Sequence, residues 1–304
     1  MIIAVASGKG GTGKTTVATS LALSIPAADE RPETARSEFS NAAKPLFLDC
    51  DVEAPNAALF LRPALDHHQE VGISIPEVDF EKCTYCGRCA EVCVWHAIAV
   101  VGEKVLVFPE LCHGCGSCTL NCPEDAIYEV LNVMGTLESG PAGPIDFAHG
   151  TMDVGQAMSV PIISQLKKKH LSAQDGRVAI LDAQPGTSCP VVETMRDADF
   201  VLMVTEPTPF GLHDLRLAVQ VARDELGLPV GVVVNRDGIG DQGVEAYCAE
   251  EEIPILMRIP LDRRIAEAIA EGRLLVDEMP EYRGAFQDLY GQIAQLVAER
   301  KGSR

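Results

Sequence analysis

The chain has 304 residues, 47% of them hydrophobic, and a formal net charge of −19 from 25 Lys and Arg against 44 Asp and Glu. That length suits about two domains with a real core, and that charge repels DNA and anionic membrane surfaces, which points to small-molecule or protein partners and to no nucleic acid. The first residues, Met-Ile-Ile-Ala-Val-Ala-Ser, form no basic leader, and no apolar run reaches the ~18 residues that span a bilayer, so the expectation is a cytoplasmic protein without stable membrane insertion.

Short β-branched runs alternate with helix-like stretches along most of the chain, the pattern of a mostly parallel sheet covered by helices on both faces. The spacing predicts strands over Ile2–Ser7, Pro45–Asp49, Arg177–Asp182, Phe200–Val204, Val230–Asn235 and Ile255–Ile259. It predicts helices over Lys14–Ser24, Pro161–Lys169, Leu212–Leu226, Val244–Glu252, Arg264–Gly272 and Tyr282–Glu299. Nearly every strand is followed by Gly, Pro, Asp or Asn, so polar chemistry gathers at the strand ends. Ala27–Lys44 is polar without sustained periodicity and reads as a surface loop. Near the C-terminus, Phe286, Leu289, Tyr290, Ile293, Leu296 and Val297 recur at helical spacing, an apolar face expected to pack on the sheet.

The segment from Ile73 to Asn132 breaks the alternation and divides the chain into a first part at 1–72, an insert at 73–132 and a second part at 133–304. Eight of the 11 cysteines fall inside it. In a chain with no export signal this favours metal ligation over disulfides. The first run is Cys83, Cys86, Cys89 and Cys93, and the second is Cys112, Cys115, Cys118 and Cys122, each spaced C-x2-C-x2-C-x3-C. One constant shift superposes the two runs and also carries Gly87 onto Gly116 and Ala97-Ile98 onto Ala126-Ile127, so the segment is an internal duplication. Three cysteines spaced by two residues wrap three corners of one [4Fe-4S] cube, while the fourth lies too far along to close the same cube and ligates the other. One cluster is therefore assigned to Cys83, Cys86, Cys89 and Cys122, and the second to Cys112, Cys115, Cys118 and Cys93. Zinc also binds C-x2-C pairs, but two complete four-cysteine runs in a duplicated frame favour clusters. The segment resembles a two-cluster bacterial ferredoxin. Pro123 after Cys122 matches that family's terminal Cys-Pro, while Val94 and then Trp95 follow Cys93.

Gly8-Lys9-Gly10-Gly11-Thr12-Gly13-Lys14-Thr15 fits G-x-x-x-x-G-K-[ST] between an apolar strand and a predicted helix, the context that motif requires. Its glycines let backbone N–H groups curl around phosphates, with Thr16 continuing the cradle into the helix. Lys14 reaches the β- and γ-phosphates, the Thr15 hydroxyl meets Mg²⁺, and the helix N-terminus adds partial positive charge. ATP and Mg²⁺ are the expected ligands.

Lys9 is an additional cation in this loop. "KGGTGKTT" resembles the deviant Walker A loop of the MinD and ParA superfamily, which also holds the nitrogenase iron protein and the Mrp-type iron–sulfur carriers. The resemblance implies a P-loop ATPase that dimerises with itself or a related ATPase, with Lys9 reaching the partner's nucleotide. "LDCDVEAPN" at 48–56 resembles that family's switch I, with Asp51 orienting water or holding the Mg²⁺ shell and Asp49 supporting it. "VAILDAQPG" at 178–186 resembles the Walker B strand and switch II, with Asp182 on the Mg²⁺ shell and Gly186 near the γ-phosphate; Gln184 stands where a proline is usual. Asn235 in "VVVNRDG" and Pro260 in "RIPLD" match the adenine-reading segments. "EPTPFGLHDL" at 206–215 resembles the members that carry an inserted ferredoxin domain. The expected fold is α/β, a mostly parallel P-loop sheet with an inserted α+β 2[4Fe-4S] domain, serving electron transfer to a redox or metallocofactor protein partner. Iron–sulfur carriage and MinD- or ParA-like positioning are the alternatives.

Cys189 follows Asp182 by seven residues in "DAQPGTSC", the offset at which the nitrogenase iron protein ligates a cluster shared between subunits. Free cysteine is more often a buried small hydrophobe. That is the reading adopted for Cys189, as for Cys50 and Cys248.

Overall fold

The computed structural model describes residues 1–26, 44–171 and 176–302. The surface loop expected at Ala27–Lys44 lies outside the described residues except for Lys44, which is exposed. The strands in chain order are β1 (Ile2–Ser7), β2 (Leu46–Asp49), β3 (His67–Val78), β4 (Ile98–Val100), β5 (Val105–Val107), β6 (Ile127–Ala142), β7 (Ile145–Met152), β8 (Ala179–Pro185), β9 (Phe200–Thr205), β10 (Val230–Asp237) and β11 (Ile255–Pro260). Among the described residues, nine of them form one sheet in the order β11-β10-β9-β1-β8-β2-β7-β6-β3. From β11 to β7 all neighbours are parallel, and β6 then runs antiparallel to both β7 and β3.

Parallel strands buried on both faces read as continuous apolar runs, and β1 (IIAVAS) and β9 (FVLMVT) are of that kind. Alternate residues of the sheet feed two cores. Leu46, Leu48, Leu181 and Val201 pack on one face with the helix Val160–Leu171, while Ile3, Phe47, Ile180 and Phe200 pack on the other with Lys14–Ser24 and Glu281–Gly302. In that last helix Phe286, Leu289, Tyr290, Ile293 and Val297 are buried and Leu296 is partly so. The C-terminal apolar face thus packs on the sheet, each large side chain contributing about 1.5–3 kcal/mol of burial.

The larger departures from expectation are one helix and three strands of the main sheet. The helix expected over Leu212–Leu226 begins earlier, at Pro209, because Thr208 caps it by accepting from the Gly211 N–H at 3.0 Å. It ends at Val219 and passes into a π-helical turn, Gln220–Glu225. Strands β3, β6 and β7 are additions. β3 and β6 pair along their length and run straight into the cysteine segment, so the strands that flank it are also the far edge of the main sheet. At their tip β4 and β5 form a small antiparallel pair over a separate core of Cys89, Ile98, Val105 and Ile127.

Candidate nucleotide and cluster sites

The loop after β1 opens the helix Lys14–Ser24, and Gly13 sits between them at φ 89°. A Cβ there would meet Asn235 Nδ2 at 2.3 Å, so glycine is required for both backbone and space. That close approach has a purpose, since Asn235 Nδ2 donates to Thr12 O at 2.7 Å and ties β10 to the loop. Lys9, Gly10, Gly11, Thr12, Gly13, Lys14, Thr15, Thr16 and Asp51 all line one cavity of about 420 Å³, with Arg236 on its rim. Gly8 packs against the Asp214 carbonyl, and the Gly186 N–H donates to Ser7 O at 2.9 Å. Pro260 ends β11 opposite Asp237, and Asn235 stands behind the loop; neither lines the cavity.

Beneath the loop, Lys14 Nζ donates to Asp182 Oδ1 at 2.6 Å, both side chains being almost wholly buried. Asp182 pairs in register with Asp49 on β2. Asp49 accepts from the N–H groups of Asp51, Asn56 and Ala57 at 3.0–3.1 Å and so fixes the loop that presents Asp51. Burial, and then Asp182 beside it, pushes the Asp49 carboxyl up to about 7. Burial also raises Asp51, with Lys14 opposing. The fit to a nucleotide rests on orphaned atoms: Asp182 Oδ2 and Thr12 Oγ1 are buried without a hydrogen-bond partner among the described residues. A polyphosphate with its hydrated Mg²⁺ offers donors and acceptors of the kind these atoms lack. Gln184 is likewise buried, with Nε2 unpartnered.

Two residues at this site had no place in the sequence reading. Glu206, at the end of β9, accepts from Lys9 Nζ and from an Arg236 guanidinium nitrogen at 2.9 Å. Arg236 also donates to Gly11 O at 3.0 Å. Burial works against ionisation of Glu206, yet the two cations hold its carboxyl below the usual range. Arg236 adjoins the adenine-matching Asn235 and Glu206 opens the "EPTPFG" stretch, so the sequence held both without linking them.

In the cysteine segment the thiols divide between two cavities. Cys83, Cys86, Cys89 and Cys122 line one, and Cys93, Cys112, Cys115 and Cys118 line the other. The duplication extends to the backbone, with positive φ at Tyr85 and Gly114, at Gly87 and Gly116, and at His96 and Asp125. It extends to sulfur as well: the Ala97 N–H donates to Cys93 Sγ at 3.2 Å and the Ala126 N–H to Cys122 Sγ at 3.3 Å. The turn after Cys93 therefore repeats the one after Cys122, although Val94 replaces the proline. The halves differ elsewhere. Trp95 stacks on His113 with centroids 3.6 Å apart beside the second cavity, and Ser117 lies 3.5 Å from Cys115 Sγ and lowers that thiol's pKa. Four thiols around each cavity, with backbone N–H groups aimed at sulfur, are the donor set of a [4Fe-4S] cluster. Cys50 and Cys248 are buried as expected, whereas Cys189 is exposed. It opens the helix Cys189–Met195 directly after the β8 loop, and that position at the strand end leaves it at the surface.

Residues 75–123 match the family of 4Fe-4S dicluster domains. Over 279 residues the chain is 32% identical to uncharacterized protein MJ0579 of Methanocaldococcus jannaschii, covering 90% of each. The chain belongs to the MJ0579 family. It is also 28% identical over 153 residues to the cytosolic Fe-S cluster assembly factor Nubp1 homolog of Drosophila pseudoobscura pseudoobscura, covering 42% of this chain and 49% of that one. Among solved structures it is similar to the cell division ATPase MinD of Pyrococcus furiosus, at 23% identity, TM-score 0.56 and coverage of 97% of this chain and 98% of that one. The architecture is the MinD/ParA-type P-loop ATPase fold with a 4Fe-4S dicluster domain. No helix among the described residues is long and apolar enough to cross a membrane.

Proposed function

We propose that this member of the MJ0579 family binds and hydrolyses ATP and that nucleotide-dependent dimerisation gates electron transfer from its dicluster domain to a protein or metallocofactor partner. The observation that carries this reading is the continuity of the sheet. β3 and β6 rise from the cysteine segment, β6 is hydrogen-bonded to β7, β7 to β2, and β2 ends in the Asp49–Asp51 loop over the nucleotide cavity. A change in that loop on nucleotide binding therefore has a hydrogen-bonded route to the cluster segment.

The roles follow the sequence motifs, and the places of Lys9, Gly10, Gly11, Thr12, Gly13, Lys14, Thr15, Thr16 and Asp51 around the cavity support them. Gly8, Gly10, Gly11, Thr12, Gly13, Thr15 and Thr16 cradle the phosphates, and Lys14 leaves Asp182 for the β- and γ-phosphates. Asp182, Thr15 and Asp51 hold Mg²⁺ and its water, while Gly186 approaches the γ-phosphate. Asn235 and Pro260 frame the base, Asn235 through the P-loop that it tethers. Lys9 acts on the nucleotide of a second protomer. Cys83, Cys86, Cys89 and Cys122 hold one cluster and Cys93, Cys112, Cys115 and Cys118 the other. When bound, such clusters supply one-electron redox chemistry. The protein's acidity fits a cytoplasmic role away from nucleic acid and anionic membranes.

The test is a pair of variants. Lys9→Ala leaves ATP binding largely intact and abolishes ATP-dependent dimerisation and hydrolysis, whereas Lys14→Ala impairs binding itself. Equal loss of binding in both variants contradicts the separation of roles.

A second reading, delivery of iron–sulfur clusters to acceptor proteins, is favoured by the exposure of Cys189 and by the partial similarity to the Nubp1 homolog. It requires that Cys189→Ala abolish iron transfer to an apo-acceptor; normal transfer by that variant removes it.

A further inference from the structure

Lys9, Glu206 and Arg236 come from three separate elements, the loop after β1 and the ends of β9 and β10, and meet at the mouth of the nucleotide cavity. Glu206 is 8% exposed and accepts on both oxygens, from Lys9 on Oε1 and from Arg236 on Oε2, with the Thr208 hydroxyl 3.4 Å from Oε1. The two cations differ in how they are held. Arg236 is anchored twice, by Glu206 and by Gly11 O, and the Asn235 side chain accepts from its N–H at 2.9 Å, steadying a left-handed backbone at φ 55°. Lys9 is held through one nitrogen on a flexible stem and is 29% exposed.

This asymmetry decides which partner can leave. Removing the sole counter-ion of a buried carboxylate strands its charge and is strongly disfavoured. Here Arg236 stays on Glu206 when Lys9 departs, so the carboxylate keeps a partner. Both cations line the cavity that the phosphates would fill, and a polyphosphate there competes with Glu206 for Lys9 through charge-assisted bonds. We infer that Glu206 is a positioning residue that folds Lys9 back over its own P-loop in the nucleotide-free protomer, and that Arg236 is the standing counter-ion that lets Lys9 swing out once ATP is bound. Lys9 is then available to a second protomer only in the nucleotide-bound state, which explains how one loop can link occupancy to assembly.

The inference rests on the proposed nucleotide-dependent dimerisation, and the experiment separates the two. Full-length, cluster-loaded protein is titrated with adenylyl imidodiphosphate, dimer is measured by sedimentation velocity, and nucleotide occupancy is measured in parallel so that dimerisation is compared at equal occupancy. Glu206→Gln frees Lys9 and lowers the half-maximal requirement about tenfold, the scale of one hydrogen bond to a charged group. Arg236→Met makes Lys9 the sole counter-ion of Glu206 and raises that requirement. Opposite signs are the signature, because a merely structural role moves both variants the same way. A wild-type protein that dimerises while Glu206→Gln matches it, or while both variants shift together, overturns the latch and leaves the proposed function standing. A wild-type protein that stays monomeric at saturating nucleotide overturns both. If Glu206→Gln does not fold, the direction of the Arg236→Met shift decides.

Discussion

Replacing Cys122 by alanine removes a thiol from the first cavity although Cys122 belongs to the second cysteine run. The structure leaves that variant with Cys83, Cys86 and Cys89 around the first cavity and an intact set of Cys93, Cys112, Cys115 and Cys118 around the second. With one four-thiol set broken and one whole, iron falls from about eight toward about four atoms per chain. The surviving cluster is the one that also survives in Cys83→Ala. Conversely, Cys93→Ala matches Cys112→Ala. The four variants are compared by iron and sulfide content and by EPR of the anaerobically reduced protein, where the second site differs through the Trp95–His113 stack and Ser117 beside Cys115. If Cys122→Ala instead gives the spectrum of Cys112→Ala, and Cys93→Ala that of Cys83→Ala, each run binds its own cluster and the crossed assignment is refuted.

Three further outcomes follow from buried charge and packing. Lys14→Met deprives Asp182 of its cation at a cost of about 3–5 kcal/mol. Because Asp49 takes up a proton more readily once Lys14 is gone, the loss in melting temperature is smaller at about pH 5.5 than at about pH 8, and an equal loss at both contradicts the coupling. His170 is pushed down from 6.5 to about 4, first by burial and then by Lys169, Arg177 and His67. The unfolded chain therefore binds more protons below 6.5, so this histidine's contribution to stability is full above that pH and is lost as pH falls toward 4. Relative to the wild type, His170→Asn gains stability between about pH 7 and about pH 5; urea titrations that show a constant difference rule this out. Phe286→Ala empties a fully buried site between the C-terminal helix and the sheet and costs about 3–5 kcal/mol in urea unfolding, whereas a cost under about 1 kcal/mol denies that packing.

Apart from β7, the parallel strands of the sheet were legible because each is built on a short apolar run bounded by polar or turn residues. Ile2–Ser7 is found as expected, and Phe200–Val204 extends by one residue to Thr205. The strands β3, β6 and β7 were hidden for physical reasons. β6 carries Gly135, Gly140 and Pro141 along with many polar residues, and β3 opens with His67, His68, Gln69 and Glu70 and contains Pro76. A proline is tolerated there because β3 is the outer edge of the sheet. The phosphate loop and the thiol sets were readable because each is encoded in one local stretch. Glu206 was not, since its relation to Lys9 spans 197 residues and exists only after folding. Cys189 was expected to be buried and is exposed, because no sequence pattern tells a strand-end position from a core one.

The most direct measurement is anaerobic EPR of the dithionite-reduced protein, with dimer quantified in the same samples, in ADP and in a nonhydrolysable ATP analogue. Nucleotide gating predicts two interacting reduced clusters whose spectrum or reduction potential shifts with the analogue, in step with dimer formation. A dimer that forms with the analogue while spectra and potentials stay identical to those in ADP contradicts it.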